Sequence, residues 1–424
     1  MKHLKFAVML VCGLIALCAE QASAVAAQAP PLSGQARISL LTSSPTGDEV
    51  YTLYGHTALR VHDPETRIDV VFNYGIFDFS RPNFIYRFAK GETDYMVRAY
   101  SFSDYLIEYI ERGCMVYEQV LNLTPDERES LWQALVLNER PENRVYRYNY
   151  FFDNCATRLA AMVENNVRGT IKYPERSGSR SVAATNPPAV SSVLQIERPT
   201  FRDAINFCTR HHPWITFGCD LVMGAPTDRE MTLKETFFLP EYLKDAFDGA
   251  EIEREGVMQP LVSTVNILSE ETQMPGKTPP FPTSPLACFM LVFVGVAWLT
   301  WMEWRKKTYF GWLDGILFFA AGMAGCILFF LSFISVHPCI FPNISLLWLH
   351  PFHVAGTVFF SVKKFNKLAF WYHFINFATI LGMSVAWIFI AQHFNIAFAP
   401  LIAALWVRSG WALLRKKLSD GRQG

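Results

Sequence analysis

Residues 147–167, RYNYFFDNCATRLAAMVENNV, change periodicity around a single cysteine. The aromatic run at 146–152 alternates like a strand and stops at Asp153-Asn154, both good helix N-cap residues. Leu159, Met162 and Val163 then recur at helical spacing, so a helix is expected from Cys155 toward Gly169. A thiol in the first turn of a helix meets unpaired backbone N–H groups and the positive end of the dipole, and both favour thiolate. Arg158, three residues on, adds positive charge on the same face. Most lone cysteines are buried structural thiols. The chemical reading therefore needs a partner elsewhere in the chain.

That partner is expected upstream, in YGHTALRVHDPETRIDVVFNYG at 54–75. Two alternating runs flank a turn at Asp63-Pro64-Glu65-Thr66, the pattern of a β-hairpin. With the turn there, Thr57, Leu59 and Val61 face Phe72, Val70 and Ile68, giving one apolar side. On the other side Arg60 opposes Asp69, and His56 opposes Asn73. An imidazole held by an amide oxygen is the general base of thiol hydrolases and acyltransferases. His62 sits at the turn and reads as a solvated side chain.

Around these two units the pattern is mixed. Strands are expected at 38–41, 95–100 and 114–123, with a helix from Ser103 to Arg112 that stops at Gly113. Thr124-Pro125-Asp126-Glu127 is a capping box opening a helix to Glu139. The class is α+β, with the histidine hairpin first and the cysteine helix last. Residues 173–199 lack regular pattern and read as a long surface loop or lid. Helices flanking a compact loop follow at 202–247, where Asp220 and Asp228 are expected to cap helices in preference to lining the cleft. The His211-His212 pair lacks metal-ligand spacing, and neither HExxH nor CxxC occurs, so no metal and no cofactor is implied. The spacing of Cys208 and Cys219 permits a disulfide without fixing one.

The chain's ends are of another kind. Lys2 and Lys5, an apolar core at 6–17 and Ala22-Ser23-Ala24 form a signal peptide over 1–24, so the mature chain is expected outside the cytoplasm. A soluble domain at 34–270 leads through a proline-rich linker at 271–285 to a membrane domain at 286–418. Five apolar spans are expected, at 286–302, 313–335, 344–362, 368–391 and 397–414. Arg305-Lys306-Lys307, Lys363-Lys364 and Arg415-Lys416-Lys417 mark alternate loops, placing those ends in the cytoplasm and the soluble domain on the opposite side of the inner membrane. His337, Asn343 and His350 lie near the outer ends of spans two and three, and His353, His373 and Asn376 lie deeper. Such groups either face a headgroup or the cleft, or hydrogen-bond between helices. Net charge is zero and no basic run is long enough to bind nucleic acid.

GHTALRV, NYGIFDF, NYFFDNCATR and FFLPEYL, followed by a membrane part with HP, PN and LHP, resemble the Lnb family over essentially the whole mature chain. The resemblance implies an integral inner-membrane lipoprotein N-acyltransferase. Its histidine-first, cysteine-later order is similar to the circularly permuted papain-like superfamily, related to cell-wall amidases. The family's catalytic pair maps onto His56 and Cys155; Asn73 is added as the orienting residue from the hairpin register. The implied partners are a phospholipid acyl donor, a lipoprotein acceptor and the bilayer. Arg158, Asn154, Tyr54, His337, Asn343 and His350 are candidate substrate-binding residues. Two rival readings stand beside this one: a membrane-tethered thiol hydrolase acting on peptidoglycan, and a non-enzymatic scaffold with a structural Cys155.

Overall fold

The computed structural model describes residues 29–47, 49–77, 82–174, 198–272 and 278–420; the signal peptide and most of the stretch at 173–199 lie outside them. The alternating segments assemble into an antiparallel seven-stranded sheet. Its strands are β1 (Arg37–Ser43), β2 (His56–Asp63), β3 (Ile68–Phe77), β4 (Asp94–Ser101), β5 (Val116–Leu121), β6 (Val145–Arg147) and β10 (Val262–Ser269). The spatial order is β10-β5-β1-β2-β3-β4-β6. A small second sheet pairs β7 (Thr170–Lys172), β8 (Glu251–Arg254) and β9 (Val257–Pro260).

Both faces of the large sheet are covered. Ile38, Leu40, Leu59, Val61, Phe72 and Tyr74 point to one face. They pack against α3 (Pro125–Glu139), α4 (Cys155–Asn166) and α8 (Pro240–Asp248). The opposite face buries Leu41, Ala58 and Val71 under Tyr105 and Tyr109 of α2 (Phe102–Glu111). Period-two alternation thus sends neighbouring residues of β2 and β3 into different cores. The capping box at Thr124 forms as expected, with Thr124 N donating to Glu127 Oε2 at 2.8 Å and Glu127 N to Thr124 Oγ1 at 3.3 Å. Helix α2 begins earlier than expected, because Ser101 rather than Ser103 supplies the cap.

The hairpin register differs from expectation by two residues. Leu59 pairs with Phe72, Val61 with Val70 and Ala58 with Asn73. The turn is Pro64-Glu65-Thr66-Arg67, with Arg67 taking a positive φ of 58°. A two-residue shift preserves side-chain parity, so the faces survive although the pairs change. Arg60 still bonds Asp69, now diagonally, at 2.8 and 2.9 Å, and also reaches Glu118 at 2.9 Å.

Five α-helices form the C-terminal part: α9 (Pro285–Lys306), α10 (Gly311–Phe333), α11 (Phe352–Ser361), α12 (Asn366–Val385) and α13 (Phe398–Asp420). Helices α9, α10 and α12 are long and apolar enough to cross a membrane. The expected third span is instead a 3-10 turn at Ile344–Leu347 and the ten-residue α11, broken where Pro351 follows His350. Arg408 is fully buried between α9, α10 and α13, bonded to Asp314, Thr300 and Glu303 at 2.6, 2.9 and 2.7 Å.

A collar joins the two parts. It consists of α5 (Phe201–Thr209), α6 (Pro213–Val222) and a 3-10 turn at Ala225–Asp228. Asp220 and Asp228 do not cap helices there; both grip the buried Arg202, at 2.9 and 2.8 Å. Arg202 also donates to the carbonyls of Asp220 and Met223. From the helical part Asn395 donates to Asp220 at 2.9 Å, and His393 meets Asp228 at 2.9 Å. Two carboxylates and one guanidinium thereby tie the α+β domain to the helices.

Candidate active site

His56 is the first residue of β2 and projects toward α2, with its ring parallel to that of Tyr109 at 6.2 Å. Asn73 lies on the same face of β3, one pair removed, and its Oδ1 sits 2.6 Å from His56 Nε2. Amide oxygens only accept, so Nε2 carries the proton and Nδ1 is left for another partner. Cys155 lies close enough to the imidazole for the charge of each to act on the other.

Cys155 comes from the other side of the sheet, where its helix packs into the larger core. The two groups meet because the pairing of β3 with β4 is interrupted between Asn73 and Ile76. Gly75, with φ of 92°, occupies the interruption. A Cβ built there would stand 3.5 Å from Cys155 Cβ, 3.5 Å from Tyr148 Cε2 and 4.0 Å from His56 Cε1. The missing side chain is therefore the window through which thiol and imidazole meet. A glycine inside a strand pattern is the sequence signal for such a bulge.

Local electrostatics favour the charged pair. Burial pushes the Cys155 thiol up, but the charge and hydrogen bond of His56, with the backbone N–H of Thr57, outweigh it and bring the thiol below its ordinary value. For His56, burial opposes the charge, while the charge and hydrogen bond of Cys155 and then Asn73 outweigh it and raise the imidazole. Both shifts point to a thiolate–imidazolium pair.

The helix start is arranged by Asn154. Its Oδ1 accepts from Ala156 N and Thr157 N at 2.9 and 3.0 Å, and its Nδ2 donates to the carbonyls of Tyr150 and Phe238. The second and third N–H groups of α4 are thus engaged by the cap. The N–H of Cys155 itself, ahead of them, is not one of the groups that this cap binds.

The other candidates are placed elsewhere. Asn154 is a buried cap and offers no free polar atom to a substrate. Arg158 is held by Asp153 at 2.9 and 2.5 Å and lies over the Tyr146 ring at 3.8 Å. Tyr54 lies with Cys219 in a separate cluster with Phe151 and Phe201. Cys208 and Cys219 are both free thiols. Asn343 joins the collar, donating to Leu221 O and Val222 O at 2.9 and 3.1 Å. His350 stacks on His353 at 3.8 Å within the helical part. His337 alone of the outer group touches the sheet domain's aromatic wall, through Phe88 and Tyr150.

That wall was not anticipated. The expected strand at 146–152 pairs only over Val145–Arg147; beyond it Tyr148 and Tyr150 turn inward. Tyr148 stacks on Tyr95 at 4.1 Å and meets Tyr150 edge-on at 5.5 Å. On the α2 side of the sheet, a cleft of about 270 Å³ approaches His56 and Asn73, lined by Tyr51, Tyr100, Glu108 and Arg112 among others. Among the described residues no group of three or more His, Cys, Asp or Glu is placed to hold a metal ion.

An α+β domain bearing a thiol–imidazole–amide site, followed by apolar helices, defines a membrane protein with a periplasmic domain. The chain belongs to the Lnb family: its residues 33–188 match the Lnb N-terminal periplasmic domain, and residues 277–418 match the Lnb transmembrane domain. No curated protein and no solved structure matches it.

Proposed function

We propose that this protein is a membrane-bound lipoprotein N-acyltransferase that works through a thioester on Cys155. The observation that carries the reading is the meeting of Cys155, His56 and Asn73 in a domain fixed to membrane helices. The sulfur attacks the carbonyl carbon of a phospholipid ester, forming a C–S bond. As the bond between the acyl carbon and the glycerol oxygen breaks, the imidazolium proton passes to that leaving oxygen, and lysophospholipid departs. The N–H of Cys155 stabilises the tetrahedral oxyanion. The α-amine of a lipoprotein's lipidated N-terminal cysteine then attacks the thioester. Its N–C bond forms, the C–S bond breaks, and His56 takes the amine proton, restoring the starting pair.

Both substrates are confined to the bilayer, so tethering the thiol beside it raises their effective concentration. Multi-pass anchoring in the inner membrane, with the catalytic domain on the periplasmic side, follows from the same reading. The site's histidine-first order is in keeping with a permuted papain-like thiol enzyme. The cleft that opens beside His56 on the α2 side favours a second reading, a membrane-tethered thiol hydrolase in which water or a cell-wall peptide replaces the lipids.

Expression in a strain lacking its lipoprotein N-acyltransferase separates the two. The transferase reading expects N-terminally acylated lipoproteins with the wild type and none with Cys155→Ala. Unacylated lipoproteins with a well-expressed wild type would favour the hydrolase.

A further inference from the structure

The short helix α1 (Phe84–Lys90) takes no part in the site, yet it is built for an apolar environment. None of its residues is buried, and Ile85 and Tyr86 are 84% and 55% exposed. Left-handed residues at both ends, Asn83 and Gly91, set it off from its neighbours. Its cations are paired back onto the domain, Lys90 with Glu92 at 2.5 Å and Arg87 with Asp94.

What lies beside α1 is the outer end of α10. The Tyr86 ring is 6.3 Å from that of Phe330, which lies inside the apolar helix rather than in the loop beyond it. Val336 N donates to Lys90 O at 2.8 Å, and His337 Nε2 meets Phe88 O at 2.8 Å. A Cβ at Gly91 would come within 2.8 Å of His337 N, so this approach requires glycine. The exposed apolar face of α1 is therefore continuous with the lipid-facing surface of a membrane-spanning helix. On its inner side Phe88 meets Tyr150 at 6.3 Å, Tyr150 meets Tyr148, and Tyr148 borders the window at Gly75.

We propose that α1 is embedded in the outer leaflet, with Ile85 and Tyr86 among the acyl chains, and forms the lateral entrance by which a phospholipid acyl ester passes along Phe88, Tyr150 and Tyr148 to Cys155. The entrance role rests on the acyltransferase reading; the membrane insertion does not. Interfacial helices are held by their apolar side chains, and an exposed apolar patch continuous with a span is of the kind that marks a membrane contact.

The test uses full-length protein in phospholipid nanodiscs with a coumarin amino acid at position 85. Quenching by acyl-chain-brominated lipid together with protection from aqueous iodide is expected. Free iodide quenching, or shielding from both quenchers as another protein surface would give, overturns the insertion. In parallel, Ile85→Glu is expected to slow acylation of Cys155 by vesicle phospholipid at least tenfold, with Ile85→Leu close to wild type. Because residue 85 touches little protein, both variants should melt with the wild type. Unchanged acylation in Ile85→Glu overturns the entrance. If the wild type itself takes no acyl group, the acyltransferase reading fails, while the quenching result still decides where α1 lies.

Discussion

Two of the molecule's buried polar clusters, around Arg202 and around Cys155, differ in what can reach them. Arg202 is 3% exposed, and each of its three guanidinium nitrogens bonds a carboxylate, a carbonyl or a hydroxyl of the collar. Cys155 is also buried, but a cleft reaches the imidazole beside it. A saturated cluster has one low-energy arrangement and fixes geometry. One that a cleft reaches can offer a nucleophile to a substrate. The collar is read as architecture and the thiol site as chemistry for that reason, not because of residue type.

The largest effect is expected at the sulfur. Cys155→Ala should lower N-acylation by a factor on the order of 10³ or more while leaving the melting temperature nearly unchanged, since only one small atom is removed. Mass spectrometry of lipoprotein N-termini and a thermal scan measure the two effects together. Arg202→Leu should do the reverse in kind. Stranding Asp220 and Asp228 without their cation costs about 3–5 kcal/mol, read as a large fall in melting temperature and loss of folded protein. If Arg202→Leu melted with the wild type, saturation would not be what anchors the collar.

His56→Asn sharpens the contrast through pH. In the wild type the thiolate persists on the acid side of an ordinary cysteine, because His56 outweighs burial; without the imidazolium, burial is left to raise the thiol. Alkylation by iodoacetamide should therefore proceed at distinctly lower pH in the wild type than in the variant. Activity should fall on the acid side as the thiolate protonates, and on the alkaline side as His56, raised above its usual range, loses its proton. Gly75→Ala should cost about 1–2 kcal/mol for the left-handed backbone and at least tenfold in rate, because the new methyl fills the window. Asn154→Ala, the mildest, removes a helix cap worth about 1–2 kcal/mol, visible as a few degrees in the melt.

Much of the site was legible in the sequence because its signals are local. The cap at Asn154, the first-turn cysteine and the alternation of 56–73 each depend on residues close in the chain, and the parity of His56 with Asn73 survives even a two-residue error in register. What escaped reading depends on contacts between distant segments. Nothing local reveals that Cys155 reaches through the sheet at Gly75, or that Arg202 draws Asp220 and Asp228 away from capping. Nor does a run of apolar residues disclose that 344–362 is broken before α11. Arg408 with Glu303 and Asp314 was missed for the same reason: three isolated charges in apolar segments become one cluster only when the helices pack.

In the proposed mechanism the sulfur of Cys155 carries the acyl group. Intact-protein mass spectrometry of the full-length chain, incubated with phospholipid and no acceptor, tests it most directly. The account predicts an acyl mass increment on Cys155 that neutral hydroxylamine removes, lipoprotein acceptor discharges and Cys155→Ala abolishes. A thiol that stays unmodified while the same preparation acylates lipoproteins would contradict it.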